Sequence, residues 1–178
     1  HLIRSSYDCI VSTSKSINKD NSLLNCRIEG LDNNRPDLII IDRNLKIKKK
    51  LKLFNLPRKR KIYLYTCSNH KKKIEFLKKK GVKIIRFDKL ISKQDFKKLF
   101  IKIYQSGKGR ILIESGLIFL NQLLTFKFIN NLYVFKSNNL LKNNGFNNIN
   151  VNLQKKLKTK VKIKVDLSND MLFKVKFK

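Results

Sequence analysis

The sequence predicts an α/β fold: a mixed β-sheet flanked by helices and ending in an antiparallel hairpin. Three observations predict it. Short unbroken apolar runs, such as Leu38-Ile39-Ile40-Ile41 and Ile111-Leu112-Ile113, are the pattern of strands buried on both faces, as in a parallel sheet covered by helices. Segments with a three-to-four-residue apolar period lie between such runs. The last two apolar segments instead alternate with lysine, the pattern of strands with one face in water.

In chain order, a short helix carrying Arg4 leads into a strand at Asp8–Ser12. Strands at Leu38–Asp42, Ile62–Thr66 and Val82–Phe87 follow, with a basic loop region at Lys46–Lys61 that contains Pro57. A very basic helix occupies His70–Lys80 and is stopped by Gly81, since glycine suits the left-handed turn that ends a helix. The clearest helix is Ser92–Gln105. There Phe96, Leu99, Phe100, Ile103 and Tyr104 make one apolar stripe, and Lys93, Lys97, Lys98 and Lys102 take the other side. Ser92 is placed to cap it, and Gly107 lies just past its end. Next come a strand at Arg110–Glu114, a helix at Leu117–Leu124 and a strand at Leu132–Lys136. The Asn-rich stretch Asn138–Asn152 reads as a mobile connection. Val161–Val165 and Leu172–Phe177 then form the hairpin around turn residues between Asp166 and Asp170. No internal repeat is visible.

At 178 residues the chain has room for a single domain with a sizeable core. A hydrophobic fraction of 42% argues against disorder despite a net charge of +30. No apolar run approaches the roughly 18–20 residues that span a bilayer, and the first residues lack the pattern of a signal peptide. The expected location is the cytoplasm, with no membrane partner. Cys9, Cys26 and Cys67 are widely spaced and form no C-x-x-C pair, which suits reduced thiols. His1 and His70 do not sit at ligand spacing from a cysteine, so no metal site is expected.

The charge has two readings. An excess of Lys and Arg supplies the phosphate-neutralising term of a nucleic-acid binder, with Lys46–Lys61 and the lysine helix as its best support. Against this, the lysines are spread over a chain rich in Lys, Asn and Ile and poor in Gly and Pro, as drift in an AT-rich genome would leave them. Most aromatics also fall at apolar-periodic positions rather than beside the basic runs. Drift is the reading followed here, and a nucleic-acid partner is the runner-up.

No G-x-G-x-x-G follows a strand and no Walker loop is present. No Ser/His/Asp set has a credible context, so no catalytic residue is assigned. Two segments stand out. The first is His1–Arg27, in which Arg4 and Arg27, brought together, could hold a phosphate through charge-assisted hydrogen bonds. The second is Arg110–Gly116: a buried strand ending in the carboxylate of Glu114, then two small residues, then a helix. Small residues permit close approach of a ligand, and a helix start suits a phosphate; an ordinary turn with Gly116 serving tight packing is the alternative.

HLIR at His1–Arg4, DNSLLNCR at Asp20–Arg27, PDLIIID at Pro36–Asp42 and ILIESG at Ile111–Gly116 follow one another in an order that resembles the C-terminal reductase domain of the bifunctional riboflavin-biosynthesis deaminase/reductase. LTFKFINNLYVF at Leu124–Phe135 looks like that family's next helix end and strand. The resemblance implies a dihydrofolate-reductase-like fold, NADPH as cofactor and a homodimer. It implies reduction of 5-amino-6-(5-phosphoribosylamino)uracil, a phosphorylated pyrimidine, to its ribitylamino product. It places Arg4, Leu24, Arg27 and Glu114 at substrate positions. It places Ser16, Asp20, Arg43, Gly116, Leu117, Ile118, Phe119, Leu120, Asn121 and Gln122 at cofactor positions. Arg43, where the family has a small residue, would suit the 2′-phosphate of NADPH.

The chain departs from the family at several points. Thr13-Ser14-Lys15-Ser16 replaces the usual Gly-x-Gly-Thr, so Lys15 stands where a glycine is expected beside the cofactor. Ser115 replaces a glycine, Ser22 a proline, and Asn130 stands where Asp is usual. The family's first strand and its deaminase domain precede the HLIR helix, and the sequence is expected to lack both. A dihydrofolate-reductase-like enzyme acting on another substrate is a third reading, although Arg4 and Arg27 favour a phosphorylated ligand over a folate.

Overall fold

The computed structural model describes residues 1–31, 35–55, 60–137, 139 and 160–177. Pro57 and, apart from Asn139, the expected connection at 138–152 lie outside these residues. The chain forms two compact units, His1–Gly116 and Leu117–Lys178.

The first unit is built on five strands: β1 (Cys9–Thr13), β2 (Asp37–Ile41), β3 (Ile62–Thr66), β4 (Lys83–Arg86) and β5 (Ile111–Ile113). They lie in the order β4-β3-β2-β1-β5, and every pairing is parallel. The helices are α1 (Leu2–Ser5), α2 (Ser14–Asp20), α3 (Lys71–Lys79) and α4 (Lys93–Gln105), with a 3-10 turn at Lys52–Phe54. Ile10, Leu38, Ile40, Ile62 and Leu64 join Ile17, Leu53, Phe54 and Leu77 in one hydrophobic cluster. Cys9, Val11, Ile39, Ile41 and Tyr65, of the opposite parity, are buried too. On that side Tyr65 packs on Phe87 with 5.6 Å between ring centroids, and Lys102 of α4 lies 4.8 Å over the Phe87 ring. Successive strand side chains point to opposite faces. The unbroken apolar runs are therefore explained by a sheet covered on both sides.

α4 starts with a full capping box. Ser92 Oγ accepts from the Asp95 N–H, and the Asp95 carboxylate accepts from the N–H groups of Ser92 and Ile91. These bonds, that from Ile91 first, hold the Asp95 carboxyl below its ordinary range. Phe96, Leu99 and Ile103 are buried as the apolar period requires, but Tyr104 in the last turn is 70% exposed, so the buried stripe is shorter than the sequence implies. Gly107 takes a φ of +82° and donates its N–H to the Tyr104 carbonyl, which closes the helix. α2 has no counterpart among the expected helices. Its sequence, SKSINKD, is poor in helix formers and offers one apolar anchor, Ile17. Thr13 makes up for this by capping it: Thr13 Oγ1 accepts from the Ser16 N–H.

Asp8 ties the start of β1 to the approach of β5. Its carboxylate accepts from the backbone N–H groups of Gly109 and Arg110 and from the Arg110 guanidinium. The Arg110 backbone bond is the main cause that holds the Asp8 carboxyl below its ordinary range. A group with a lowered native pKa stabilises fully above its unfolded value and loses that contribution as pH falls through the native one. Asp8→Ala is expected to lower stability by about 1 kcal/mol at neutral pH. The gap from wild type should narrow as pH falls below the ordinary aspartate range, through the lowered native pKa of Asp8. Urea unfolding midpoints at several pH values test this, and a gap that persists in acid would refute it.

The second unit holds α5 (Leu117–Thr125), β6 (Asn131–Lys136), β7 (Val161–Ile163) and β8 (Met171–Lys176). The expected hairpin is present as the antiparallel pair β7–β8, with Ile163 opposite Leu172. β6 pairs with the other edge of β8, so β8 is the central strand of three. Its buried residues, Leu172 and Val175, are three apart and so project to opposite faces. β8 is therefore not the simple one-face-wet strand that alternation with lysine implies. No helix among the described residues is long and apolar enough to cross a membrane.

Candidate functional site

Strands β2, β3 and β4 are laid out to one side of β1, and β5 returns on the other. Chain direction across the sheet thus reverses between β1 and β5. In open parallel sheets, ligands bind outside the carboxyl ends of the strands at such a switch point. The segments leaving those two ends are Thr13–Ser16 and Glu114–Gly116. They meet: the Gly116 N–H donates to Ser16 Oγ at 3.0 Å, and Ser16 Oγ lies 3.0 Å from Thr13 Oγ1. Among the described residues, a Cβ on Gly116 would meet only Ser16 Oγ within 4 Å, at 3.7 Å, an ordinary contact. Among those residues packing therefore does not require a glycine there, and the residue is exposed.

Glu114 is held by Arg4. Its carboxylate accepts from Arg4 Nε at 2.7 Å and Nη2 at 2.8 Å, a two-pronged pair. Arg4 Nη1 donates to the Asn25 carbonyl at 3.0 Å. Only 21% of the Arg4 side chain and 27% of that of Glu114 are exposed. The bond to Glu114 raises the Arg4 pKa above its ordinary value. The structure thus joins two residues, both expected from the resemblance to lie at the substrate, that the sequence presented separately.

The other two residues expected at the substrate, Leu24 and Arg27, lie on the irregular segment after α2. Leu24 is buried in the hydrophobic cluster with a φ of +49°. Arg27 is exposed; its backbone N–H donates to His1 Nδ1 at 3.2 Å, and Cys26 Sγ donates to the His1 carbonyl. The segment is thereby fastened to the start of α1. Asn25 Oδ1, between Leu24 and Arg27, is buried with no hydrogen-bond partner among the described residues.

Among the residues expected at the cofactor, Ser16 and Asp20 stand at i and i+4 on α2 and share one face. Arg43 is exposed at the carboxyl end of β2 and donates from Nη1 to the Leu90 carbonyl at 3.3 Å. Its neighbour Asp42 is buried and accepts from the N–H groups of Lys46 and Ile47, an anchor for that loop. Leu117, Ile118, Phe119, Leu120, Asn121 and Gln122 form the first turns of α5, where Ile118 is exposed and the others half-buried.

Several residues here escaped the sequence reading. Arg60 is half-buried and donates to the carbonyls of Leu23, Leu24 and Pro36. Burial, with the charge of Arg4 as a second cause, pushes its pKa down to about 10. Lys108 is buried and pairs with Asp37 at 3.1 Å; burial, the largest single cause, works to lower its pKa, but the bond and charge of Asp37 together with Tyr63 raise it above its ordinary value. Lysines also lie over aromatic rings: Lys49 over Phe76, and Lys83 and Lys108 over Tyr63. Those ring faces are taken by the chain's own cations.

A parallel sheet with its crevice at the β1/β5 switch point, together with a separate antiparallel sheet, defines an α/β protein of the dihydrofolate-reductase-like fold class. Residues 1–141 match the family described as the RibD C-terminal domain, and the chain belongs to that family. Its structure is similar to RibD from Acinetobacter baumannii, with a TM-score of 0.73 at 16% identity over 97% of this chain and 48% of that one. A pyrimidine reductase-like protein from Corynebacterium diphtheriae gives 0.70 at 16% identity, covering 98% of this chain and 77% of the other. The diaminohydroxyphosphoribosylaminopyrimidine deaminase/5-amino-6-(5-phosphoribosylamino)uracil reductase of Thermotoga maritima gives 0.69 at 16% identity, covering 99% and 47%. The chain spans about half the length of the RibD structures it resembles. At this identity the likeness is one of fold. No protein with a curated description matches the sequence.

Proposed function

We propose that the chain is a cytoplasmic, NADPH-dependent reductase of 5-amino-6-(5-phosphoribosylamino)uracil in riboflavin biosynthesis. The observation that carries this reading is the bond between Gly116 and Ser16 at the switch point. It joins residues from two distant segments, both of which we assign to the cofactor, where an open parallel sheet takes its ligand. Membership of the RibD C-terminal domain family supplies the reaction class. The residues fit a dinucleotide: two hydroxyls and a bare backbone stand together, and exposed Lys15 and Arg43 follow the ends of β1 and β2.

NADPH, when bound, supplies the hydride that reduces the opened ribosyl carbon. The protein's part is to bind and align. Ser16, Asp20, Arg43 and Gly116 serve the cofactor. Arg27 takes the substrate phosphate, and Glu114, oriented by Arg4, faces the substrate.

Fluorescence titration of the protein with NADPH, with NADH as control, tests the reading. Moderate salt is needed because a chain of charge +30 attracts any polyanion. Saturable binding at least about tenfold tighter for NADPH is expected, since a charge-assisted contact to the 2′-phosphate contributes about 1.5 kcal/mol or more. Equal or unsaturable binding of the two would overturn it.

A further inference from the structure

We propose that Arg60 is a positioning residue for the substrate side of this site, acting through the backbone of residues 23–25. The inference rests on the reductase reading. Residues 21–28 belong to no helix or strand, so their carbonyls have no ladder to accept from, and buried carbonyls need donors. Three in succession receive one from a guanidinium. Arg60 serves Leu23 and Leu24, and Arg4 serves Asn25. Arg60 also donates to Pro36, the residue before β2, at 3.3 Å, which fastens the segment to the amino end of that central strand.

The segment needs such a hold. Leu24 has a φ of +49° and Asn21 one of +47°; a leucine in the left-handed region is a conformation the surroundings must impose. A surface arginine would be solvated and would lose nothing. Arg60 is instead desolvated, near the like charge of Arg4, and its bonds run to carbonyls. Those bonds account for a guanidinium being kept in an unfavourable setting. The groups that would meet substrate hang from this ledge. Asn25 Oδ1 is buried and unpartnered, Arg27 follows two residues later, and Arg4 carries Glu114. Arg60 thus sets where these groups stand without touching the reacting atoms.

The test is Arg60→Met, which keeps the length of the side chain and removes its donors, with Arg60→Lys as the conservative partner. Steady-state kinetics should show KM for the phosphoribosyl substrate raised at least tenfold in the Met variant and less in the Lys variant. In both, kcat should stay within threefold and the Kd for NADPH within twofold. Hydrogen exchange of the amides at 22–27 should accelerate at least tenfold in the Met variant while those of β1 and β2 do not change. The exchange readout needs no turnover, so inactivity of the wild type would count against the reductase reading while this measurement still judges the clamp. If the Met variant does not fold, the Lys variant alone must show raised KM and faster exchange. A folded variant with unchanged KM and unchanged exchange overturns the proposal. So does failure of both variants to fold, which would make Arg60 a determinant of the fold.

Discussion

Replacing Arg4 by alanine is expected to lower kcat/KM at least about a hundredfold and to destabilise the protein by about 2 kcal/mol. The change strands two groups at once. Glu114 loses both prongs of its pair, and the Asn25 carbonyl loses its donor. Removing one member of a fully buried pair costs about 3–5 kcal/mol. Here about a quarter of each side chain is open to water, so a cost below that range, about 2 kcal/mol, is expected. On the proposed reading, in which Glu114 faces the substrate, the loss of activity follows because a freed carboxylate no longer holds one orientation, and small misplacements are costly in rate. Glu114→Gln should lower turnover while leaving the domain folded, since the amide keeps one acceptor for the guanidinium. Combining both changes closes a double-mutant cycle, in which coupling of about 1 kcal/mol or more is expected. Urea midpoints and steady-state kinetics decide the matter. Wild-type turnover in Glu114→Gln would mean that the pair serves the fold and not the reaction.

Arg27→Ala should behave in the opposite way. The side chain is exposed and lies outside the core, so stability should change by less than about 0.5 kcal/mol. Losing a charge-assisted contact to phosphate is worth about 1.5–3 kcal/mol, which corresponds to substrate binding weaker by roughly 10- to 150-fold. Cofactor affinity should remain near normal. Titration of the variant with substrate and with NADPH separates the two effects, and unchanged substrate affinity would remove Arg27 from the phosphate site. Two arginines that look alike in the sequence are thus expected to fail differently, one through the pair it holds and the other through the ligand it meets.

The parts of this architecture that could be read from the sequence are those with a local signal. β3 is found at Ile62–Thr66, as its apolar run implies, and α4 follows its cap and its period. β1 begins one residue later than expected, at Cys9, although the Asp8 backbone already donates to the Arg110 carbonyl and accepts from the Asp37 N–H; the difference is one of where the ladder starts. α2 was invisible because its cap, Thr13, lies inside a strand and its one buried anchor gives no periodicity. The family resemblance led to Arg4 and Glu114, but their pairing depends on β1 lying beside β5, which is a fact of topology. Arg60 left no trace at all. Its partners are backbone carbonyls, which any residue carries, and in a stretch of lysines and arginines one more cation reads as solvated surface.

The placement of β5 has a consequence for synthesis. β1 has β2 on one side soon after both leave the ribosome, but its other neighbour ends only at Ile113. At the usual pace of translation the intervening chain takes on the order of 4–14 s to appear. Throughout that interval Cys9, Ile10 and Val11 form an unpaired apolar edge of the kind that recruits other chains. Messages broken or stalled before the fifth strand would therefore yield a product that is adhesive and also lacks the carboxylate Arg4 requires, 110 positions away.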